Sequence, residues 1–255
     1  MEIAVLDFVI AVLVFVRVTA LLVLAPVIGH RAVPVAVKVA LGIFLAFVLF
    51  PVVSAAHPQV DVALGSLIIL ALKEASVGMV LGFVSGLVFQ GVQIAGNLMG
   101  FDLGLSMANL YDPENGVTNN VIAELLAMVA LMIFLAVNGH HFILEALAVS
   151  YHAVPIGAFS PGPSLSDALV TVTGMTIAVG VKLAAPVIVT SFLINIALAV
   201  LARVSPQINV FFVTVSLKTG AGLLVIMASA PLVVAVFKKL LATFEQNILD
   251  IVKAM

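Results

Sequence analysis

The sequence predicts an all-α, membrane-associated fold of long, broken apolar helices and helical hairpins. Three observations predict it. Of 255 residues, 64% are hydrophobic and 9% charged, against about 45–50% and about 25% in soluble domains. The mean hydropathy is +1.36. Six stretches reach or approach the roughly 20 apolar residues that span a bilayer as a helix. A water-soluble globule is excluded, and so is a disordered chain, which needs low hydrophobicity and high net charge.

The first stretch, Phe8–Ile28, carries Arg17 in an otherwise apolar run. The residues before it, MEIAVLD, are acidic, and no A-x-A site closes a short apolar core; the first segment is therefore expected to stay in the mature chain. A tight turn at His30–Pro34 leads to Val35–Val53, with Lys38 near its start. After a second turn, Ala55–Pro58, comes Val62–Ile94. As one straight helix it would be about 50 Å long, well beyond a hydrocarbon core of about 30 Å. Lys73-Glu74 lies near its middle and is expected to interrupt it. The longest polar stretch, Asn97–Asn120, follows, with the turn signal Tyr111-Asp112-Pro113-Glu114-Asn115-Gly116. Val121–Val149 is interrupted by Asn138-Gly139-His140-His141, and Ala168–Leu201, after the loop Ser160–Ser166, by Pro186. A hairpin at Arg203–Pro206 leads to Val210–Phe237 and a short basic tail. Breaks of this kind survive at membrane depth only where protein covers them. Lys and Arg near the connectors give a divided answer on orientation.

The formal net charge is −2, from ten Lys and Arg against twelve Asp and Glu. That leaves no basic field for nucleic acid. With no Cys, disulfides, thiolate metal sites and Cys nucleophiles are excluded. Gly78, Gly82 and Gly86 recur every four residues. Such spacing lets helix backbones approach closely, and a hinge is the alternative. Arg17, Lys38, Lys73, Glu74, Lys182 and Lys218 sit inside apolar segments. An ionisable group at bilayer depth faces protein or water, so these charges form a relay, pair within or between subunits, or lie off the membrane; pairing or an off-membrane position is the better reading. His140, His141 and Glu145 fall short of the three or four convergent ligands of a zinc site. No metal, cofactor or catalytic site is expected, since no nucleophile elbow, P-loop or dinucleotide fingerprint occurs.

FDLGLSMANLYDP (Phe101–Pro113), AVNGHHFILEAL (Ala136–Leu147), YHAVPIG (Tyr151–Gly157) and RVSPQINVFFV (Arg203–Val213) occur in that order. Together they resemble the FliR family, the flagellar member of the type III secretion export-gate proteins, across essentially the whole chain. From about Ala168 onward the chain also resembles the two-helix FliQ subunit, through Lys182–Pro186 (KLAAP), Gln207-Ile208-Asn209 and Lys218. The resemblance implies one unit over 1–255, with a FliP-like portion at 1–166 and a FliQ-like hairpin at 167–255. It further implies one copy per right-handed helical complex with FliP-like and FliQ-like subunits, near an FlhB-like protein. Such a gate lies largely above the plane of the bacterial inner membrane, in the flagellar basal body, and unfolded export substrates pass through its pore.

The family's plug loop matches Gly104–Gly116, centred on Met107, Leu110, Tyr111, Asp112 and Pro113. Met107-Ala108 and Leu110-Tyr111 stand where relatives often carry Phe. An ordinary connector whose apolar residues dock on neighbouring helices is the alternative. For the whole chain the alternatives are an injectisome export-gate homologue, a small-solute secondary transporter and an intramembrane enzyme.

Overall fold

The computed structural model describes residues 2–30, 32–55, 63–105, 120–205, 207 and 209–255. Among them the chain is helical and contains no strand. Among the described residues there are seven helices: α1 (Glu2–Leu24), α2 (Val35–Ser54), α3 (Leu64–Asp102), α4 (Val121–Ala136), α5 (Gly139–Ala153), α6 (Pro163–Val204) and α7 (Val210–Ala254). Five are long and apolar enough to cross a membrane, or six spans result if α4 and α5 count as one broken span. The fold is that of an all-α membrane protein.

Two expected interruptions do not occur. α3 runs without a break through Lys73-Glu74 for 39 residues. The charges are satisfied sideways, by other parts of the chain, so the backbone has no reason to open. The same helix runs beyond Ile94 into what reads as a polar connector, as far as Asp102. α6 likewise runs through Pro186 over 42 residues. Proline there removes one helical donor, the one that would bond the carbonyl four residues earlier, without ending the helix. At 1.5 Å per residue, α3, α6 and the 45-residue α7 measure about 58, 63 and 68 Å, roughly twice a hydrocarbon core.

The interruption at Asn138 does occur. α4 ends at Ala136, and Asn138 adopts a left-handed conformation, φ 58° and ψ 30°, at the start of α5. Asn enters this region at little cost, whereas a β-branched residue there is strained. Asn138 is exposed, so its backbone preference can be tested apart from packing. Asn138→Gly is expected to be neutral, and Asn138→Val to cost about 1–2 kcal/mol, read as a lowered Tm of the detergent-solubilised protein. Equal Tm values for the two variants would contradict this account.

The chain divides into two compact units, Met1–Leu87 with Val137–Thr173 and Leu241–Met255, and Val88–Ala136 with Gly174–Leu240. In the first, the buried core includes Val14, Val18 and Leu21 of α1, Val77 and Leu81 of α3, and Ile143 and Leu147 of α5. The end of α7 adds Leu241, Phe244, Ile248 and Ile251, an apolar stripe at helical spacing. Phe244 meets Phe142 edge to face at 5.9 Å. In the second unit, Phe89 sits edge to face with Phe134 at 5.3 Å and with Phe237 at 5.9 Å. Met99, Leu126, Leu183 and Val187 are buried there as well.

Candidate functional site

Arg17 and Glu74 are both fully buried, and Arg17 Nε donates to Glu74 Oε2 at 2.7 Å. A buried charge is tolerable only when paired and hydrogen-bonded, and here nearly every donor of the guanidinium fork is used. Arg17 Nη1 donates to the Ser150 carbonyl at 3.1 Å and to Ser150 Oγ at 3.2 Å. Nη2 donates to the Val154 carbonyl at 3.0 Å. The Ser150 carbonyl, in the last turn of α5, also accepts from the Val154 N–H at 2.9 Å, and the carbonyl of Val154, the residue that caps the helix, lies where carbonyls lack helical donors. The guanidinium also lies 4.2 Å from the ring centroid of Tyr151, and the Tyr151 hydroxyl donates to the Val14 carbonyl at 3.2 Å.

Glu74 uses its other oxygen, Oε1, to accept from the Gly157 N–H at 2.9 Å. The neighbouring Lys73 donates from Nζ to the Gly157 carbonyl, also at 2.9 Å. One α1 residue and two adjacent α3 residues thus hold the end of α5 and the connector beyond it.

Beside this node α1 and α3 are in backbone contact. A Cβ added at Gly78 would run into the Arg17 carbonyl, and one at Gly82 would lie 2.7 Å from the Leu21 carbonyl oxygen. At Gly86 the nearest atom is the Leu24 carbonyl oxygen at 3.5 Å, an ordinary contact. Only the first two glycines sit where a side chain is excluded.

The other charges are placed differently. Lys38 reaches the Gly29 carbonyl at 2.9 Å and so ties α2 to the turn after α1. Lys218 lies 3.4 Å from the Asp102 carbonyl at the end of α3, where a cation complements the helix dipole. Lys182 is exposed. The six charges therefore form one ion pair, three contacts from lysine to backbone carbonyls, and one exposed cation; they make no continuous relay among the described residues.

The plug candidates Met107, Leu110, Tyr111, Asp112 and Pro113 lie outside the described residues. Their flanks lie within the second unit. Thr219 Oγ1 donates to the Leu103 carbonyl at 3.3 Å, and Gly222 leaves room for the Leu103 side chain. On the far flank, Asn120 Nδ2 donates to the Gly96 and Asn97 carbonyls at 3.0 and 3.2 Å, and Asn120 Oδ1 accepts from the Ile122 N–H at 3.0 Å. Gly100 faces the Asn120 amide so closely that a Cβ there would overlap it. The near flank is held by α7 and the far flank by the last turns of α3.

Sequence reasoning singled out Arg17, Lys73 and Glu74 but not Ser150, Tyr151, Gly157 or Asn120. Most of these act through backbone groups or one side-chain amide, and such roles have no spacing signature. His140 and His141 lie with ring centroids 4.3 Å apart. Among the described residues no group of three or more His, Asp or Glu could hold a metal ion.

The family model for bacterial export proteins, family 1, matches residues 8–244. The chain is 30% identical over 246 residues to the flagellar biosynthetic protein FliR of Bacillus subtilis (strain 168), covering 94% of each chain. It is 30% identical over 241 residues to that of Escherichia coli (strain K12), covering 94% of this chain and 91% of the relative. To that of Pectobacterium carotovorum subsp. carotovorum it is 31% identical over 222 residues, covering 86% and 83%.

Proposed function

The chain belongs to the bacterial export proteins, family 1, the family of its FliR relatives, and from that premise we propose that it is a structural subunit of the flagellar type III protein export gate. In this reading it joins FliP-like and FliQ-like subunits in one copy, beside an FlhB-like protein, in the bacterial inner membrane at the flagellar basal body. Unfolded flagellar substrates pass through the pore of that assembly. Residues 1–166 form the FliP-like portion and 167–255 the FliQ-like hairpin. The role is structural; no chemistry is performed.

The observation that carries the reading is the family match across residues 8–244. The surface of the single chain supports it. α2 buries only Gly42, Ala46 and Val53, and its Phe47 is 79% exposed. Apolar faces of this size do not stay in contact with water. Lipid alone is a poor cover for α6. Met175 and Val204, 49% and 74% exposed, are about 44 Å apart along the helix. Fitting both into a hydrocarbon core of about 30 Å needs a tilt of about 47°, outside the usual range of 0–40°. Neighbouring subunits would cover the remainder.

Gly104–Gly116 is the segment we assign to the pore plug, with Met107, Leu110 and Tyr111 as its apolar tips and Asp112-Pro113 as its turn. A lumen seal needs apolar side chains.

Native mass spectrometry of the co-expressed subunits tests the assembly. The expected particle holds one copy of this chain with several FliP-like and FliQ-like copies. A stable homo-oligomer of this chain alone would overturn the reading. In the same particle, Met107, Leu110 and Tyr111 changed together to Ser should leave the composition intact and raise ion conductance in planar bilayers. A correctly assembled triple variant as tight as the parent would remove the plug assignment.

A further inference from the structure

Within the second unit, α6 has a packed face and an open face set back to back. Thr176, Gly180, Leu183 and Val187 are buried. A Cβ added at Gly180 would lie 2.8 Å from the Gly91 carbonyl oxygen of α3, so this face is already occupied by the chain itself. On the other side, Met175, Lys182, Val189 and Ile196 recur every seven residues. Leu193 and Val200 join them, and all six are exposed. At 3.6 residues per turn the six lie within about 40° of one another's line through Lys182, and the four buried residues about 100–160° away from it.

Lys182 is the one charge of α6 between Asp167 and Arg203, and it has no partner among the described residues. Apolar residues continue along the same stripe for about 10 Å before it, to Met175, and for about 27 Å after it, to Val200. Water is a poor cover for such a stripe. Lipid would suit Val189–Val200, but a lysine in lipid reaches for the interface. An interface at Lys182 would put the exposed Met175, Ile177 and Val181 among the headgroups. Glu74, the one carboxylate among the six charges inside apolar segments, is held by Arg17 and is not free to pair with Lys182. An apolar stripe of seven-residue period is the seam of paired helices, and a lone Lys at one seam position selects the partner and the register. Once water leaves the seam, that charge needs a counter-charge.

We propose that this stripe docks an apolar helix of a neighbouring gate subunit, and that the docked helix brings one Asp or Glu to the level of Lys182, the charge pair fixing the register of the two helices. This rests on the reading of the chain as one subunit of an assembly with FliP-like and FliQ-like neighbours.

The test uses the full chain co-expressed with those subunits, with the photoreactive substitution Val189→p-benzoyl-Phe on the same stripe. Irradiation of the purified particle is expected to join position 189 to a FliP-like or FliQ-like helix. Because Lys182 lies about 10 Å from Val189 along α6, the joined peptide should carry an Asp or Glu about two turns from the joined residue. Lys182→Met keeps the stem, strands that carboxylate and should lower the adduct about tenfold. Lys182→Glu sets like charges face to face and should lower it further, whereas Lys182→Arg should stay near the parent. The Tm of the solubilised chain alone should be the same for all of these, which separates lost docking from lost folding. If the variant at 189 does not assemble, Val200→p-benzoyl-Phe reads the same stripe. Adducts at both positions to lipid only, to another helix of this chain only, or to nothing would overturn the docking face. Adducts left at the parent level by Lys182→Met and Lys182→Glu would overturn the charge pair. An adduct joining two copies of this chain, in a particle without the other subunits, would instead overturn the one-copy reading and leave the docking face standing.

Discussion

Glu74→Ala is expected to remove most of the protein from the membrane fraction, the largest effect of any single substitution in the first unit. Glu74 is fully buried against Arg17 at 2.7 Å. Deleting it strands a guanidinium that cannot reach water, and breaking a buried pair from one side typically costs about 3–5 kcal/mol. Whole domains are stable by only about 5–15 kcal/mol. Glu74→Gln should fall between, because the amide keeps the shape and one acceptor but not the charge. The double variant Arg17→Met/Glu74→Leu removes both charges and should regain a large part of the loss. It will not regain all of it, since the Val154 carbonyl loses its donor and the Ser150 carbonyl keeps only the Val154 N–H. Accumulation by quantitative blotting, with Tm of the solubilised protein, reads the cycle. A double variant no better than Glu74→Ala would mean that the backbone grips, not the ion pair, carry the node.

The fold class was legible because it follows from composition and run length, and neither depends on which residues touch. The break at Asn138 was legible for a local reason: Asn followed by Gly in an apolar run favours a left-handed turn. Lys73-Glu74 misled because apolar patterning registers a charge as an interruption, although a charge interrupts a helix only when nothing beside it can satisfy it. The partner of Glu74 lies 57 positions away in sequence, beyond any periodicity. A charge balance offered the one available clue. Of the six flagged charges in apolar segments, Glu74 is the single carboxylate, so whichever cation sits deepest should pair with it.

The end of α3 shows the opposite failure. Asn97–Asp102 reads as a polar connector, yet it is helix, because Gly96 and Gly100 let Ala123 and Asn120 close over it. That closeness comes from chain segments folding back on each other. The plug assignment lies outside the described residues and stands on the resemblance alone, whereas its flanks at Leu103 and Asn120 stand on hydrogen bonds.

The glycine series on α3 should separate three residues that the sequence presents as equivalent. In a helix interior, Gly→Ala gains about 0.8–1 kcal/mol of intrinsic propensity, so any loss measured is a lower bound on the clash. At Gly78 the new methyl meets the Arg17 carbonyl and lies 2.8 Å from Ala20 Cβ. The first obstacle is backbone, held in α1 by its own helical bonds, and it cannot turn aside. At Gly82 the obstacles are the Leu21 carbonyl oxygen at 2.7 Å and Leu24 Cβ at 2.8 Å, again atoms with no freedom to rotate away. At Gly86 the single neighbour is at 3.5 Å, and the methyl fits. Gly86→Ala is therefore expected to be neutral or stabilising by up to about 1 kcal/mol. Gly82→Ala should destabilise, Gly78→Ala should do so more strongly, and Gly82→Leu should reach the upper end of the roughly 1–3 kcal/mol typical of overpacking. Tm of the solubilised chain gives the order, and particle yield with co-expressed partners shows whether the α1–α3 contact is needed for assembly. A hinge predicts a different pattern: α3 runs unbroken through all three positions, and stiffening a hinge would lower export while leaving Tm unchanged or raised. Equal losses of Tm at Gly78 and Gly86 would refute the contact geometry, and losses of export without loss of Tm would favour the hinge.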